Sequence, residues 1–147
     1  MEIKCFNRQN PPQPEERESI AQFLFTQLDE YGDPIEDIKH CMQYALSENG
    51  KPGGFILAGY DDDRLASAVI VNETCMGGFI PENILVYIAT HSDFRGKGIG
   101  GKMMWEALQT AKGDVALHVE AENPAKRLYE RLGFTNKYLE MRYKKEK

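Results

Sequence analysis

The sequence predicts a mixed α/β fold, and three observations carry the prediction. Helical and strand-like periods are segregated along the chain: two amphipathic helical stretches, then three apolar strand-like runs, then helix and strand in alternation. The apolar run Ile84–Thr90 leads through a glycine-rich turn, Arg95–Gly101, into a helical stretch that starts Lys102-Met103-Met104-Trp105. The chain's 147 residues suit one domain, 1–147, with a single core.

Each element has its own warrant. Glu2–Arg8 alternates like a short strand. Pro14 suits a first helical position, and Glu15, Glu16 and Glu18 favour the positive end of the helix dipole. Ile20, Phe23, Leu24 and Leu28 continue at helical spacing, which predicts a helix over 14–30. Asp33-Pro34-Ile35-Glu36 is a second helix start, with Asp33 as the cap; the stripe Ile35, Ile38, Met42, Ala45 and Leu46 follows, and Asn49-Gly50 ends it. Gly54–Tyr60 and Leu65–Thr74 read as a hairpin around Asp61–Arg64, and Ile84–Thr90 as a third antiparallel strand.

A helix over 98–111 follows, with Met103, Met104, Trp105 and Leu108 as its core face. Val115–Ala121 reads as a strand. Asn123-Pro124 opens a helix that runs to Leu132 and closes at Gly133, and Phe134–Tyr143 reads as one or two final strands. The order is β-α-α-β-β-β-α-β-α-β.

Composition narrows the function. A net charge of −5 argues against a general nucleic-acid surface and tolerates a cationic amine better than a polyanion. The basic residues at 95, 97 and 102 are then more informative. Cys5, Cys41 and Cys75 are odd in number and widely spaced, without zinc-type Cys/His spacing, which fits a reducing cytoplasm. No metal site is expected. No run approaches membrane-spanning length, and Met1–Asn10 has no apolar signal core, so neither a membrane nor a secretory route is expected.

The glycine turn reads as a phosphate or pyrophosphate cradle. Glycine lets the backbone approach a ligand, and the first helical turn offers unpaired N–H groups at the positive end of a dipole. Three patterns fit the same residues. Gly96, Gly98 and Gly101 satisfy G-x-G-x-x-G, with Glu120 roughly 20 residues on. Gly96 to Lys102 satisfies most of a triphosphate loop, although Met103 stands where a magnesium-binding hydroxyl belongs. Arg95, Gly98 and Gly100 satisfy R-x-x-G-x-G. The first two want the turn early in alternating β-α units, whereas here it comes late, after a meander.

The element order, Arg95-Gly96-Lys97-Gly98-Ile99-Gly100, and the stretch Asn123 to Phe134 (NPAKRLYERLGF) together resemble the GNAT superfamily of N-acetyltransferases. The resemblance implies a GNAT-like fold: a central mixed sheet of about six or seven strands with helices on both faces. It implies acetyl-CoA as co-substrate and an amine acceptor, without a metal. The diphosphate of the coenzyme would sit on Arg95, Gly96, Lys97, Gly98, Ile99, Gly100 and Gly101. Backbone groups of Ile88, Ala89 and Thr90 would meet the pantetheine arm where a bulge parts strand 84–90 from strand 115–121. Asn123 would touch the coenzyme, although it stands one residue closer to Tyr129 than in many relatives.

The resemblance also assigns Tyr129 as the acid that protonates the departing thiolate. The amine attacks the thioester directly, and a backbone N–H of the splayed strand stabilises the oxyanion. Asn83 and Ile84 stand where many relatives carry a glutamate base. His118 and Glu120 share one face of a strand over 115–121, so His118 is the candidate base, with Glu120 and Glu73 behind it. The competing reading is a non-catalytic acyl-CoA-binding sensor or interaction module. The acceptor carries no motif, and an exposed last strand would offer an edge for a homodimer.

Overall fold

A computed structural model describes residues 1–146. They fall into two compact units, Met1–Leu117 and His118 onward. The first holds a five-stranded sheet in the order β1 (Glu2–Phe6), β2 (Gly54–Asp61), β3 (Arg64–Glu73), β4 (Asn83–Thr90) and β5 (Val115–Leu117). The pairs β1–β2, β2–β3 and β3–β4 are antiparallel, and β4–β5 is parallel, so the sheet is mixed.

Strand alternation sorts the core into two layers. Ile56, Ala58, Ala68, Ile70, Tyr87 and Ala89 form one cluster with Ile20, Leu24, Ile38 and Met42, which come from α1 (Pro14–Leu28) and α2 (Ile35–Ala45). The residues between them, such as Leu57, Val69 and Val71, are buried outside that cluster, as are Met103, Met104 and Ala107 of α3 (Ile99–Thr110). A Cβ on Gly59, in phase with Leu57, would come within 2.9 Å of Met103 Sδ. Glycine there lets α3 lie close on that face.

Several expected boundaries move, each for a local reason. β1 stops at Phe6 because the Asn7 side chain accepts from the N–H groups of Gln9 and Asn10 and starts a turn. Asp33 does not cap α2; its carboxylate accepts a short hydrogen bond from Tyr87 Oη, and Pro34 takes the cap position. Trp105 is 54% exposed rather than part of the α3 core face.

The largest differences lie late in the chain. β5 ends at Leu117, so His118 and Glu120 are on no strand. Phe134–Tyr143 forms no strand, and Tyr138, Leu139, Met141 and Tyr143 are exposed. Alternating side chains create a face, but a strand exists only by backbone pairing. No described strand pairs with 134–143, so the described sheet has five strands instead of the expected six or seven, and the order lacks its final β.

Candidate active site

The site is set by where β4 loses its neighbour. β5 pairs with β4 over three rungs only, from Asn83 opposite Val115 to Leu85 opposite Leu117. β4 continues alone on that side to Thr90. The cause lies in its register with β3. Ile70 is opposite Tyr87 but Val71 is opposite Leu85, so Val86 is an extra residue, a bulge.

The bulge also sets which backbone groups look into the opening. Ala89 O accepts from Ser67 Oγ at 2.8 Å, and His91 N donates to Ala66 O at 2.8 Å, so residues 89 and 91 face β3. By strand alternation, Ile88 and Thr90 turn their N–H and C=O groups to the open side. The Thr90 carbonyl is occupied by Arg95 Nε at 3.1 Å. Among the described residues, that leaves both backbone groups of Ile88 and the Thr90 N–H free. Of the three expected contact residues, Ala89 thus directs its main chain the other way.

A short 3-10 turn, Ser92–Phe94, carries the chain from β4 into the glycine turn. His91 caps it, with Nδ1 accepting from Asp93 N at 3.0 Å. Gly96 and Gly98 have φ of +78° and +79°, and an added Cβ would meet nothing within 4 Å at either. Glycine is needed at both for its backbone angle, not for space. Gly98 is the N-cap of α3 and offers no side-chain cap. Among the described residues, no N–H from Gly96 to Gly101 donates to a protein acceptor. A row of orphan donors at the start of a 12-residue helix fits a diphosphate.

The cations expected beside this row are arranged differently. Arg95 spends its guanidinium on two main-chain carbonyls, Thr90 O and Gln27 O. Lys97 Nζ lies 5.5 Å from the centre of the Phe94 ring, which Arg64 also covers. The Arg64 guanidinium bonds Asp93 at 2.8 Å and holds that carboxyl below the usual range.

Glu73, the other acid named as a candidate base, ends β3 in the first unit, where its main-chain carbonyl accepts from Tyr44 Oη at 2.6 Å; the other candidates lie in the second unit. His118 and Glu120 are exposed there, and the shared strand face expected for them does not exist. Asn123 Oδ1 accepts from Ala125 N at 2.9 Å and starts the turn before α4 (Lys126–Arg131). Lys126 and Arg127 border a surface hollow beside Asn123. Tyr129 is 7% exposed, its ring lies 6.0 Å from that of Phe134, and burial pushes its phenol above the ordinary value. Such a phenol keeps its proton at neutral pH and can act as an acid.

Other acidic or polar candidates are committed elsewhere. Glu82 accepts from Asp114 N at 2.7 Å. The buried Asn83 amide, at the position where many relatives carry a glutamate base, donates to Lys112 O and Asp114 O. Among the described residues, no three His, Cys, Asp or Glu side chains are grouped to hold a metal ion, and no helix is long and apolar enough to cross a membrane.

A strand that parts from its parallel neighbour beside a turn of free amides narrows the choice of family, and comparison with known proteins decides it. Residues 5–134 match the acetyltransferase (GNAT) family. The chain belongs to the GNAT family of acyltransferases.

Among known GNAT folds, the ribosomal-protein-alanine N-acetyltransferase of Brucella melitensis biovar Abortus 2308 superposes with a TM-score of 0.62, at 17% identity, over 98% of this chain and 99% of that one. An aminoglycoside N-acetyltransferase in complex with CoA gives 0.65 at 14% identity, over 98% and 93%. The NatC complex bound to Gag peptide and CoA gives 0.66 at 22% identity, over 92% and 86%. At these identities the likeness is one of GNAT fold. In sequence, the cysteine-rich protein 2-binding proteins of Mus musculus and Homo sapiens are each 31% identical over 108 residues, 72% of this chain. That stretch spans only 12% of those relatives' length.

Sequence reasoning missed Gln27, Ser67 and Ser92, which hold the site's backbone in place. Their partners are 22 or more residues away in sequence, so no local pattern marks them.

Proposed function

We propose that residues 1–147 work as one N-acetyltransferase domain that moves an acetyl group from acetyl-CoA to a primary amine, on a small molecule or a peptide. The observation that carries this reading is the parting of β4 from β5 after Leu85, beside unpaired amides from Gly96 to Gly101. Those amides suit the coenzyme's diphosphate, and the free backbone groups of Ile88 and Thr90 suit the amide arm behind it. The coenzyme, when bound, supplies the activated acyl thioester.

The protein's part is orientation and proton handling. An N–H on the open edge of β4 can hold the negative charge that builds on the carbonyl oxygen. Tyr129 holds a proton for the departing sulfur; its burial keeps that proton in place at neutral pH. Asn123 and the adjacent Lys126 and Arg127 offer further coenzyme contacts. His118 serves as the base, with Glu120 as second candidate; both are open to solvent, which suits transfer through water. The three free cysteines suit the cytoplasm.

Thiol release from acetyl-CoA across a panel of amines tests the reading. Acceptor-dependent release that falls sharply in Tyr129→Phe supports it. The buried, hydrogen-bonded Asn83 at the position of the usual glutamate base favours a second reading, an acyl-CoA-binding module without turnover; tight coenzyme binding with no release for any amine supports that one instead.

A further inference from the structure

We propose that Arg95 is a positioning residue: together with Gln27 it fastens the end of α1 to the segment feeding the glycine turn. It thereby couples coenzyme binding to the connection between α1 and α2. The coupling rests on the reading of the turn as a diphosphate cradle; the clamp itself does not.

Three hydrogen bonds build the clamp. Arg95 Nε donates to Thr90 O at 3.1 Å, and an Nη donates to Gln27 O at 3.2 Å. Ser92 N donates to Gln27 Oε1 at 3.1 Å. Gln27 thus takes bonds from 92 and from 95 through its side chain and its main chain.

The end of α1 needs this support. Its last carbonyls lack intrahelical partners, and its last turn holds no basic residue of its own. Asp29, its C-cap, sits at φ 50° and ψ −120°, a left-handed setting costly for a non-glycine residue. Arg95 brings a cation to the negative end of the helix from elsewhere in the chain. Further on, Asp33 is held by Tyr87 of β4. The α1–α2 connection is therefore tied to β4 and its continuation at both ends, so a diphosphate that settles the turn also settles that connection.

A phosphate ligand and a clamp make opposite demands on residue 95. A ligand needs positive charge, which lysine keeps. A clamp needs two donors spaced to reach two carbonyls, which neither lysine nor glutamine supplies. The test uses Arg95→Lys, Arg95→Gln and Gln27→Ala in the full chain, with coenzyme A as probe. Without ligand, amide exchange over 28–32 should quicken roughly fivefold in both Arg95 variants, and that of Ser92 similarly in Gln27→Ala. Calorimetry should show both Arg95 variants weakened for coenzyme A by the same factor.

Retained affinity in Arg95→Lys with loss in Arg95→Gln would make Arg95 a phosphate ligand and overturn the proposal. Unchanged exchange in all three variants would remove the clamp. If the unaltered protein gives no heat with coenzyme A, the cradle reading falls, and with it the coupling, while the exchange data still decide the clamp.

Discussion

Leu85 opposite Leu117 is the last rung of the parallel ladder between β4 and β5, and β4 runs on beyond it to Thr90. One extra residue, Val86, turns the free backbone groups of Ile88 and Thr90 into the gap. The first prediction concerns the glycine turn that follows β4. Alanine at Gly98 must adopt φ near +79°, which costs about 1–2 kcal/mol. Gly98→Ala should lower Tm modestly and weaken coenzyme A roughly tenfold by calorimetry, as the N-cap distorts the amide row. Wild-type affinity in a correctly folded variant would detach the turn from the ligand.

Tyr129→Phe separates chemistry from binding. The variant should keep the coenzyme Kd and lose roughly 100-fold or more in kcat. Because burial raises the phenol, the alkaline fall in wild-type kcat due to Tyr129 should begin only above the ordinary tyrosine value of about 10. The same shift means that its contribution to stability is complete below that value and is lost as pH rises through the folded one. A kcat limb near neutrality that vanishes in Tyr129→Phe would contradict the assignment.

The cysteines should react in order of exposure and thiolate character. Burial, the main cause, pushes the Cys41 thiol up to about 12, despite a bond from Asn72 that opposes the shift. Cys5 is raised as well, again chiefly by burial. Cys75 is exposed on the β3–β4 loop. With a thiol reagent at pH 8, Cys75 should label first, and Cys75→Ser should abolish the fast phase. A fast phase that survives the substitution would refute this order.

Glu82 should make the fold acid-sensitive. Its carboxyl is lowered chiefly by the backbone N–H of Asp114, so its stabilisation is present above the ordinary glutamate value of about 4.3 and lost as pH falls through its lower folded value. Melting temperatures of the wild type and Glu82→Gln should differ at pH 7 and converge under acid conditions. A gap that stays constant down to pH 2 would show that this bond carries none of the difference.

What the sequence discloses and what it hides divide along physical lines. The strand–turn–helix through Gly98, the β2–β3 hairpin and the helix starts at Pro14 and Ile35 rest on local periodicity and turn chemistry, and all of them form. Arg95 was readable as a cation but not as a clamp, because Gln27 is 68 residues away. Asp33 has the identity of a cap, yet Tyr87, 54 residues on, takes it. The placing of His118 and Glu120 on one face assumed a strand through Ala121, but strand length depends on a partner, and the β4 bulge ends that pairing at Leu117.

If the amides from Gly96 to Gly101 receive the diphosphate of an acyl-CoA while Ile88 and Thr90 receive its amide arm, binding must register at those groups. An amide-resolved NMR titration of the full chain with coenzyme A reads those groups one by one. The N–H signals of Gly96–Gly101, Ile88 and Thr90 should move most, and saturate together. Saturating coenzyme A that leaves these signals in place while others shift, or that shifts none, would contradict that assignment.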